Sequence, residues 1–376
     1  MGGPCLVLAG AGSGKTGVIT RKIAHLIQVC GYEPRHIMAM TFTNKAAKEM
    51  GERVGKLLPN VPTKDLSIST FHSFGVRFLR AEGKHLGLKE KFSILDSDDC
   101  FGIIQELSAT TDKGLIRAMQ SQISLWKNKE ISPEQALSLA KEPNELQFAR
   151  VYSSYNATIA AYQAVDFDDL IRLPVKLLRE NIEVRERWQN KIRYILVDEY
   201  QDTNTVQYEL LKQLTGVRAM FTAVGDDDQA IYAWRGATLD NLKLLQTDFP
   251  LIKVITLEQN YRSTERILNA ANAVIAHNPK LFEKKLWSEH GEGEPIRVLP
   301  MENEELEAQH VLMRLQAHKI SHNARFSDYA ILYRGNHQAR IFEQFLRKER
   351  IPYVMSGGQS FFDRAEIRDI MAYFRL

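Results

Sequence analysis

Short apolar runs alternate with longer amphipathic stretches over the first 70 residues. Residues 4–9, 36–41 and 66–70 read as strands, and 15–29 and 43–58 as helices. Strands that alternate with helices predict βαβ units on a parallel sheet. From about 71 to 185 the β-branched runs fade, and long stretches such as 100–127 and 133–178 read as helical, which predicts an inserted helical subdomain. Strands return at 194–197 and 219–224. A further βα series is expected from Lys253, with strands at 296–299, 329–333 and 352–355. Ile341, Phe342, Phe345 and Leu346 share one face of a helix at a period near 3.6. Residues 289–294 (EHGEGE) read as a linker or as a surface loop within one domain.

Composition narrows this picture little. With 376 residues, 44% of them hydrophobic and 25% charged, the chain has material for two or three ordinary cores. The net charge of +3 names no partner, so a nucleic-acid surface would have to be local. Cys5, Cys30 and Cys100 have neither the number nor the spacing for a disulfide framework or a zinc site, which fits a reducing, cytoplasmic compartment. No apolar run approaches the ~20 residues of a membrane span, so no membrane role is expected.

The chemistry concentrates where strands end. Ala9, Gly10, Ala11, Gly12, Ser13, Gly14, Lys15 and Thr16 follow one strand and open a helix. Small residues let backbone N–H groups curl around a phosphate chain, and the helix N-terminus adds a positive dipole end. Lys15 would reach the β- and γ-phosphates of a nucleotide, and the Thr16 hydroxyl would ligate Mg²⁺. Ala9 stands where the strict pattern has Gly. A second strand ends in Asp198 and Glu199, a pair suited to holding Mg²⁺ and to polarising an attacking water. A third delivers Gln229, able to sense a γ-phosphate, with Tyr232 and Trp234 close behind as base-stacking platforms. The bland reading of Trp234 is a core anchor, and of Asp226, Asp227 and Asp228 a solvated turn. Tyr261 beside Arg262 suits adenine stacking plus a charge on the γ-phosphate, or else a core ring and a surface ion pair. Phe42, Asn44 and Lys45, and then His72, follow two further strands and suit sugar-phosphate contacts with base stacking on a nucleic acid. Thr43 and Thr70 would also serve as plain helix caps. Asp166, Asp168 and Asp169 are expected to cap and charge the first turn of a helix starting near Leu170.

Together, AGAGSGKT, TFTNKAAKEM, ISTFHSFG, DFDDLI, ILVDEYQDTN, VGDDDQAIYAWRGA, LEQNYRS and YAILYRGNHQARIFEQFL resemble, in order, the motifs of superfamily 1A DNA helicases of the UvrD/Rep/PcrA type. The resemblance covers essentially the whole chain. It implies an α/β, P-loop (RecA-like) parallel sheet with an inserted all-helical subdomain and a second, incomplete RecA-like domain. The implied boundaries are 1–71 and 184–263 for the first domain, 72–183 for the insertion and 264–376 for the second domain. It further implies ATP and Mg²⁺ as cofactors and ATP-driven 3′–5′ movement on single-stranded DNA. The partners it implies are single-stranded and 3′-tailed duplex DNA, together with replication or repair proteins. By the same resemblance Lys15, Thr16, Asp198 and Glu199 serve ATP, metal and water, and Gln229 and Arg262 meet the γ-phosphate. Tyr261 stacks on adenine, and Phe42, His72, Tyr232 and Trp234 meet DNA. Three departures stand out: no adenine-reading segment precedes the first strand, Gly17 stands where the family has an Arg, and the later motifs of the second domain are unmatched. The chain is therefore expected to be the N-terminal portion of a helicase, with weak activity by itself. The runner-up reading is a nucleotide-dependent module that loads on DNA without unwinding it. A P-loop kinase for a small substrate leaves the aromatic strand ends unexplained.

Overall fold

The computed structural model describes residues 3–233, 236–278, 280–355, 370–371 and 373–374. The chain divides into two compact units, Met1–Pro295 and Ile296–Leu376. The division falls directly after the 289–294 stretch and later than the 263/264 boundary implied by the motifs.

The first unit opens with β1 (Cys5–Ala9), α1 (Lys15–Gln28), β2 (Ile37–Thr41), α2 (Asn44–Leu57), β3 (Ser67–Thr70) and α3 (Phe71–Glu82). A largely helical stretch follows: β4 (Ser93–Ile94), α4 (Ser97–Ser108), α5 (Lys113–Asn128), α6 (Pro133–Leu139), α7 (Pro143–Ala161) and β5 (Ala164–Val165). Then come α8 (Asp169–Glu180), α9 (Ile182–Lys191), β6 (Tyr194–Val197), α10 (Thr205–Thr215), β7 (Phe221–Gly225), α11 (Asp240–Asp248), β8 (Lys253–Leu257) and α12 (Glu265–Ile275). Six strands form one sheet in the order β3-β2-β6-β7-β1-β8, every neighbour parallel. The strand at Lys253 thus closes the first sheet beside β1 instead of beginning a separate series. Its residues pair with β1 from Cys5 to Ala9, and the strip it covers is already apolar.

Strand residues alternate between two cores. Leu6, Leu8, Met38, Met40, Ile195 and Val197 face one side with α3, α8, α9 and α10, while Val7, Ala9, Ile37, Ala39 and Leu196 face α1 and α2. Burial on both faces is why these strands read as continuous apolar runs.

The insertion has its own core around Ile116, Met119, Trp126, Tyr152 and Tyr155. The stretches expected as long helices are broken by caps: Asp96 caps α4, Asp112 caps α5, and Ser132 with Pro133 starts α6. The insertion meets the rest of the unit through charge. The Lys127 side chain is 0% exposed, with its Nζ 2.6 Å from Asp166 Oδ2 and 2.9 Å from Asp169 Oδ2. Burial disfavours its charge, but the two carboxylates outweigh that and raise its pKa. Arg172 also pairs with Asp169, at 2.8 Å. Asp166 Oδ1 does accept the Asp169 N–H in the expected capping manner, at 2.9 Å. Capping is nonetheless not the main work of this acidic run. Its carboxylates are buried and hold a lysine from another helix, because no water reaches them to solvate the charge.

The second unit contains α13 (Glu304–Ser321) and α14 (Asn336–Lys348), with Leu312, Leu346 and Ile351 at the centre of a small core. Residues 296–299, 329–333 and 352–355, expected as strands, have no ladder here. Apolar patterning supplies the tendency to extend, but a strand needs a hydrogen-bonded neighbour.

Replacing Lys127 with Met leaves the Asp166 and Asp169 carboxylates buried without their main partner. The expected loss is about 3–5 kcal/mol of stability. Urea denaturation of the first unit checks this, and a midpoint equal to wild type would show that the carboxylates are satisfied elsewhere.

Candidate functional site

Because the sheet is wholly parallel, every strand delivers its following residue to the same edge. There β1 runs into Gly10, β6 into Asp198, β7 into Asp226 and β8 into Glu258. Between β1 and α1 the chain turns tightly: the Ser13 N–H and hydroxyl both donate to the Gly10 carbonyl, at 3.2 and 2.7 Å. Gly12 and Gly14 lie at φ +69° and +89°, where a side chain is strained. At Gly12 a Cβ would also collide with Asn260. No side chain caps α1 and its first turn holds no acid, so its leading N–H groups are open to an anion.

Lys15 sits at that helix start with its side chain 10% exposed. Its Nζ lies 3.2 Å from Glu199 Oε2, yet no acceptor among the described residues is aligned to take a hydrogen bond from it. Glu199 itself occupies the left-handed region, at φ 50°. Its Oε2 also accepts from Gln201 Nε2 at 2.9 Å, and Gln201 Oε1 accepts the Asp226 N–H at 3.0 Å. Gln201 therefore ties the end of β6 to the end of β7. Asp198 is buried, and burial together with the Glu199 carboxylate pushes it up to about 6. Gln229 donates from Nε2 to Asp226 Oδ2.

The segment after β8 clasps the loop. Asn260 donates to the Ala11 carbonyl at 2.6 Å, and the Tyr261 N–H donates to the Gly12 carbonyl at 3.0 Å. The Asn260 side-chain oxygen accepts from the N–H groups of Arg262 and Ser263 at 2.8 and 2.7 Å. Tyr261 and Arg262 are thereby placed against the phosphate loop, with the Tyr261 ring 64% exposed.

A second set of residues lines a cleft of about 600 Å³ between the sheet edge and the helical insertion. Phe42, Thr43, His72, Phe167, Asp168, Asn204 and Tyr232 all contribute. The His72 ring meets Phe167 edge-on at 5.7 Å, and burial lowers the His72 pKa. Asn128 links the walls: its Nδ2 donates to Asp168 Oδ1 at 2.8 Å and its Oδ1 accepts from Asn204 Nδ2 at 2.6 Å. Thr43 and Thr70 cap α2 and α3, as the plain reading expected, and Phe71 is core. Phe42 remains half-buried at the cleft. Asn44 and Lys45 open α2 on the exposed side and do not line the cleft. Trp234 lies outside the described residues. Sequence reasoning missed Phe167, Gln201 and Asn260. Each had a signal, since all three lie within motifs already singled out, but their partners are distant in the chain.

Residues 1–250 match the model of the UvrD/REP helicase N-terminal domain, and 255–376 that of the UvrD-like helicase C-terminal domain. The chain is 57% identical over 377 residues to the ATP-dependent DNA helicase Rep of Salmonella typhimurium and equally so to that of Escherichia coli, covering 100% of this chain and 56% of each relative. It is 43% identical over 378 residues to the ATP-dependent DNA helicase PcrA of Leuconostoc citreum, covering 100% of this chain and 50% of that one. The chain thus spans about half the length of the curated relatives it matches.

Burial, with Asp166 nearby, pushes Asp168 up to about 6. A carboxyl raised above its unfolded value of ~3.8 favours the folded state below that value, and the contribution is lost as pH rises through about 6. Asp198 and Asp202, raised to about 6 chiefly by burial, act in the same direction. Asp168→Asn should remove one of these contributions and gain about 1–3 kcal/mol at pH 7.5 relative to pH 4. Melting temperatures of variant and wild type at the two pH values check it; parallel shifts would refute the assignment.

Proposed function

The chain belongs to the UvrD/Rep helicase family, and from that premise we propose that it binds Mg-ATP at the 9–16 loop and single-stranded DNA in the adjoining cleft, as part of an ATP-driven 3′–5′ DNA helicase. The observation that carries this reading is Lys15. A buried ammonium without an aligned acceptor, at the start of an uncapped helix, is completed by a phosphate oxygen. The Thr16 hydroxyl and the Asp198 carboxylate are hard oxygen donors of the kind Mg²⁺ takes, and they would hold it. When bound, the metal neutralises charge on the β- and γ-phosphates.

This chain's residues do the rest. Glu199, held by Lys15 and Gln201, is the base that orients water and takes its proton. Once a phosphate attracts Lys15, the Glu199 carboxylate is released toward that water. Gln229 and Arg262 meet the γ-phosphate, and the exposed Tyr261 ring stacks on adenine. In the cleft, Phe42, His72 and Tyr232 take bases and sugars, Trp234 is by its motif a further base-stacking ring, and Asn44 and Lys45 are positioned for phosphates on the open side. Residues 200–204 connect the two sites, since Gln201 holds Glu199 while Asp202 and Asn204 line the cleft. Replication and repair proteins are the partners that fit such an activity.

Phosphate release measured with and without single-stranded DNA tests the reading. DNA-independent release, or none with either the chain or its full-length parent, would refute it. Lys15→Ala should abolish nucleotide binding in calorimetry while leaving DNA binding intact. Trp234→Ala should do the reverse, weakening single-stranded DNA by about 1–3 kcal/mol with little sequence preference. Severe melting of Trp234→Ala with undiminished DNA affinity would make that ring a core anchor.

A further inference from the structure

We propose that Lys284 is a positioning residue for the γ-phosphate contact of Gln229, acting through Asp226 from a strap, residues 282–288, that also covers the phosphate loop. The inference rests on the nucleotide reading above and adds to it a residue that lies outside the recognised motifs.

Asp226, Asp227 and Asp228 bring three carboxylates within the space of a single cation. Left alone they would repel one another, and Asp226 and Asp227 are buried. The Lys284 side chain, 2% exposed, fills that space. Its Nζ lies 2.8 Å from Asp226 Oδ1 and 3.0 Å from Asp228 Oδ2, and it also contacts Asp227 Oδ1. Burial disfavours the ammonium, but the carboxylates more than reverse this and raise its pKa.

Asp226 is shared in a telling way. One oxygen meets Lys284 and the other accepts from Gln229 Nε2, while its N–H donates to Gln201. The oxygen that meets Lys284 also accepts the Asp228 N–H at 3.3 Å, and the ammonium, joined to it at 2.8 Å, is the charged partner that helps fix the carboxylate orientation in which Gln229 is held. Through Gln201 the same residue is joined to Glu199 and Lys15. A lysine needed only to neutralise charge could sit on any neighbouring element. This one sits on a strap pinned at several points to the elements around the loop. The Phe282 N–H donates to Asp227 Oδ2 at 3.3 Å, and the Lys285 N–H to Glu258 Oε1 at 2.8 Å. Asn272 brackets Leu286, whose side chain lies over Gly10 and leaves no room for a Cβ there. Trp287 offers its carbonyl to the Asn260 N–H at 2.7 Å. One short segment thus touches the phosphate loop, the Asn260 clasp and the acidic run that holds Gln229.

The test is the preference for a triphosphate over a diphosphate. Affinities for Mg-ADP and for the Mg²⁺ complex of the imido analogue of ATP are measured by calorimetry on wild type, Gln229→Ala, Lys284→Met and the double variant. Wild type should prefer the triphosphate, and Gln229→Ala should cut that preference by about tenfold, the worth of one hydrogen bond to a charged group, leaving the share that Lys15 and Arg262 supply. Lys284→Met should cut it to a similar extent, and both single variants should keep their Mg-ADP affinity. The double variant should be no worse than Gln229→Ala, because the two residues act in series. The proposal is overturned if Lys284→Met keeps the wild-type preference while Gln229→Ala loses it, or if the two losses multiply. Should Lys284→Met fail to fold, the variant K284M/D227N/D228N removes the surplus charge and is read by the same ratio. A wild-type chain that binds neither nucleotide overturns the phosphate-loop reading and this inference with it. One that binds both equally overturns the Gln229 role and that of Lys284 together.

Discussion

The parallel register of six strands is the constraint from which the rest follows. In a parallel sheet each strand ends on the same edge, so residues far apart in sequence become neighbours without any long-range design beyond strand order. With β1 between β7 and β8, the phosphate loop is flanked by the Asp226–Gln229 turn on one side and by the Asn260 clasp on the other. β6, one strand further along, supplies Asp198 and Glu199. The order also leaves room for the insertion. Strands β3 and β6 flank β2, and between them α3, α8 and α9 pack on the sheet, while the stretch from α4 to α7 is free to become a separate helical body.

That body is attached by a charge cluster instead of an apolar seam. Lys127, Asp166, Asp169 and Arg172 form a buried network, and Asp168, Asn128 and Asn204 extend it to the cleft wall. Such networks add little net stability compared with apolar packing, but they tolerate only one arrangement. The cleft is lined from both sides, and Asn128 joins its walls through Asp168 and Asn204.

Much of this was legible in the sequence. The alternation of β1 to β3 with α1 and α2 was readable because strands buried on both faces are apolar throughout, and the phosphate loop because its glycines and lysine are contiguous. Lys127 was not readable, since its partners lie 39 and 42 residues away and no local pattern joins them. The acidic run at 166–169 was read as a helix cap for the same reason: composition shows the charge but not its burial. Lys284 stands in an ordinary-looking basic stretch, and only the fold reveals three carboxylates around it. The apolar runs at 296–299, 329–333 and 352–355 show the opposite limit, where the pattern is present but the pairing is not.

The place of β8 has a consequence for dissecting the molecule. The first family match ends at residue 250, just before β8 begins, yet β8 is the hydrogen-bonded neighbour of β1 along its whole length. A protein cut at that point would expose the backbone of β1, lose the Leu257 carbonyl that receives the Gly10 N–H, and shed Asn260, Lys284 and Leu286 at once. The span of the family match and the unit of folding are therefore offset: whatever is exchanged, truncated or fused in this chain, the phosphate loop keeps its shape only if the segment through residue 288 travels with it.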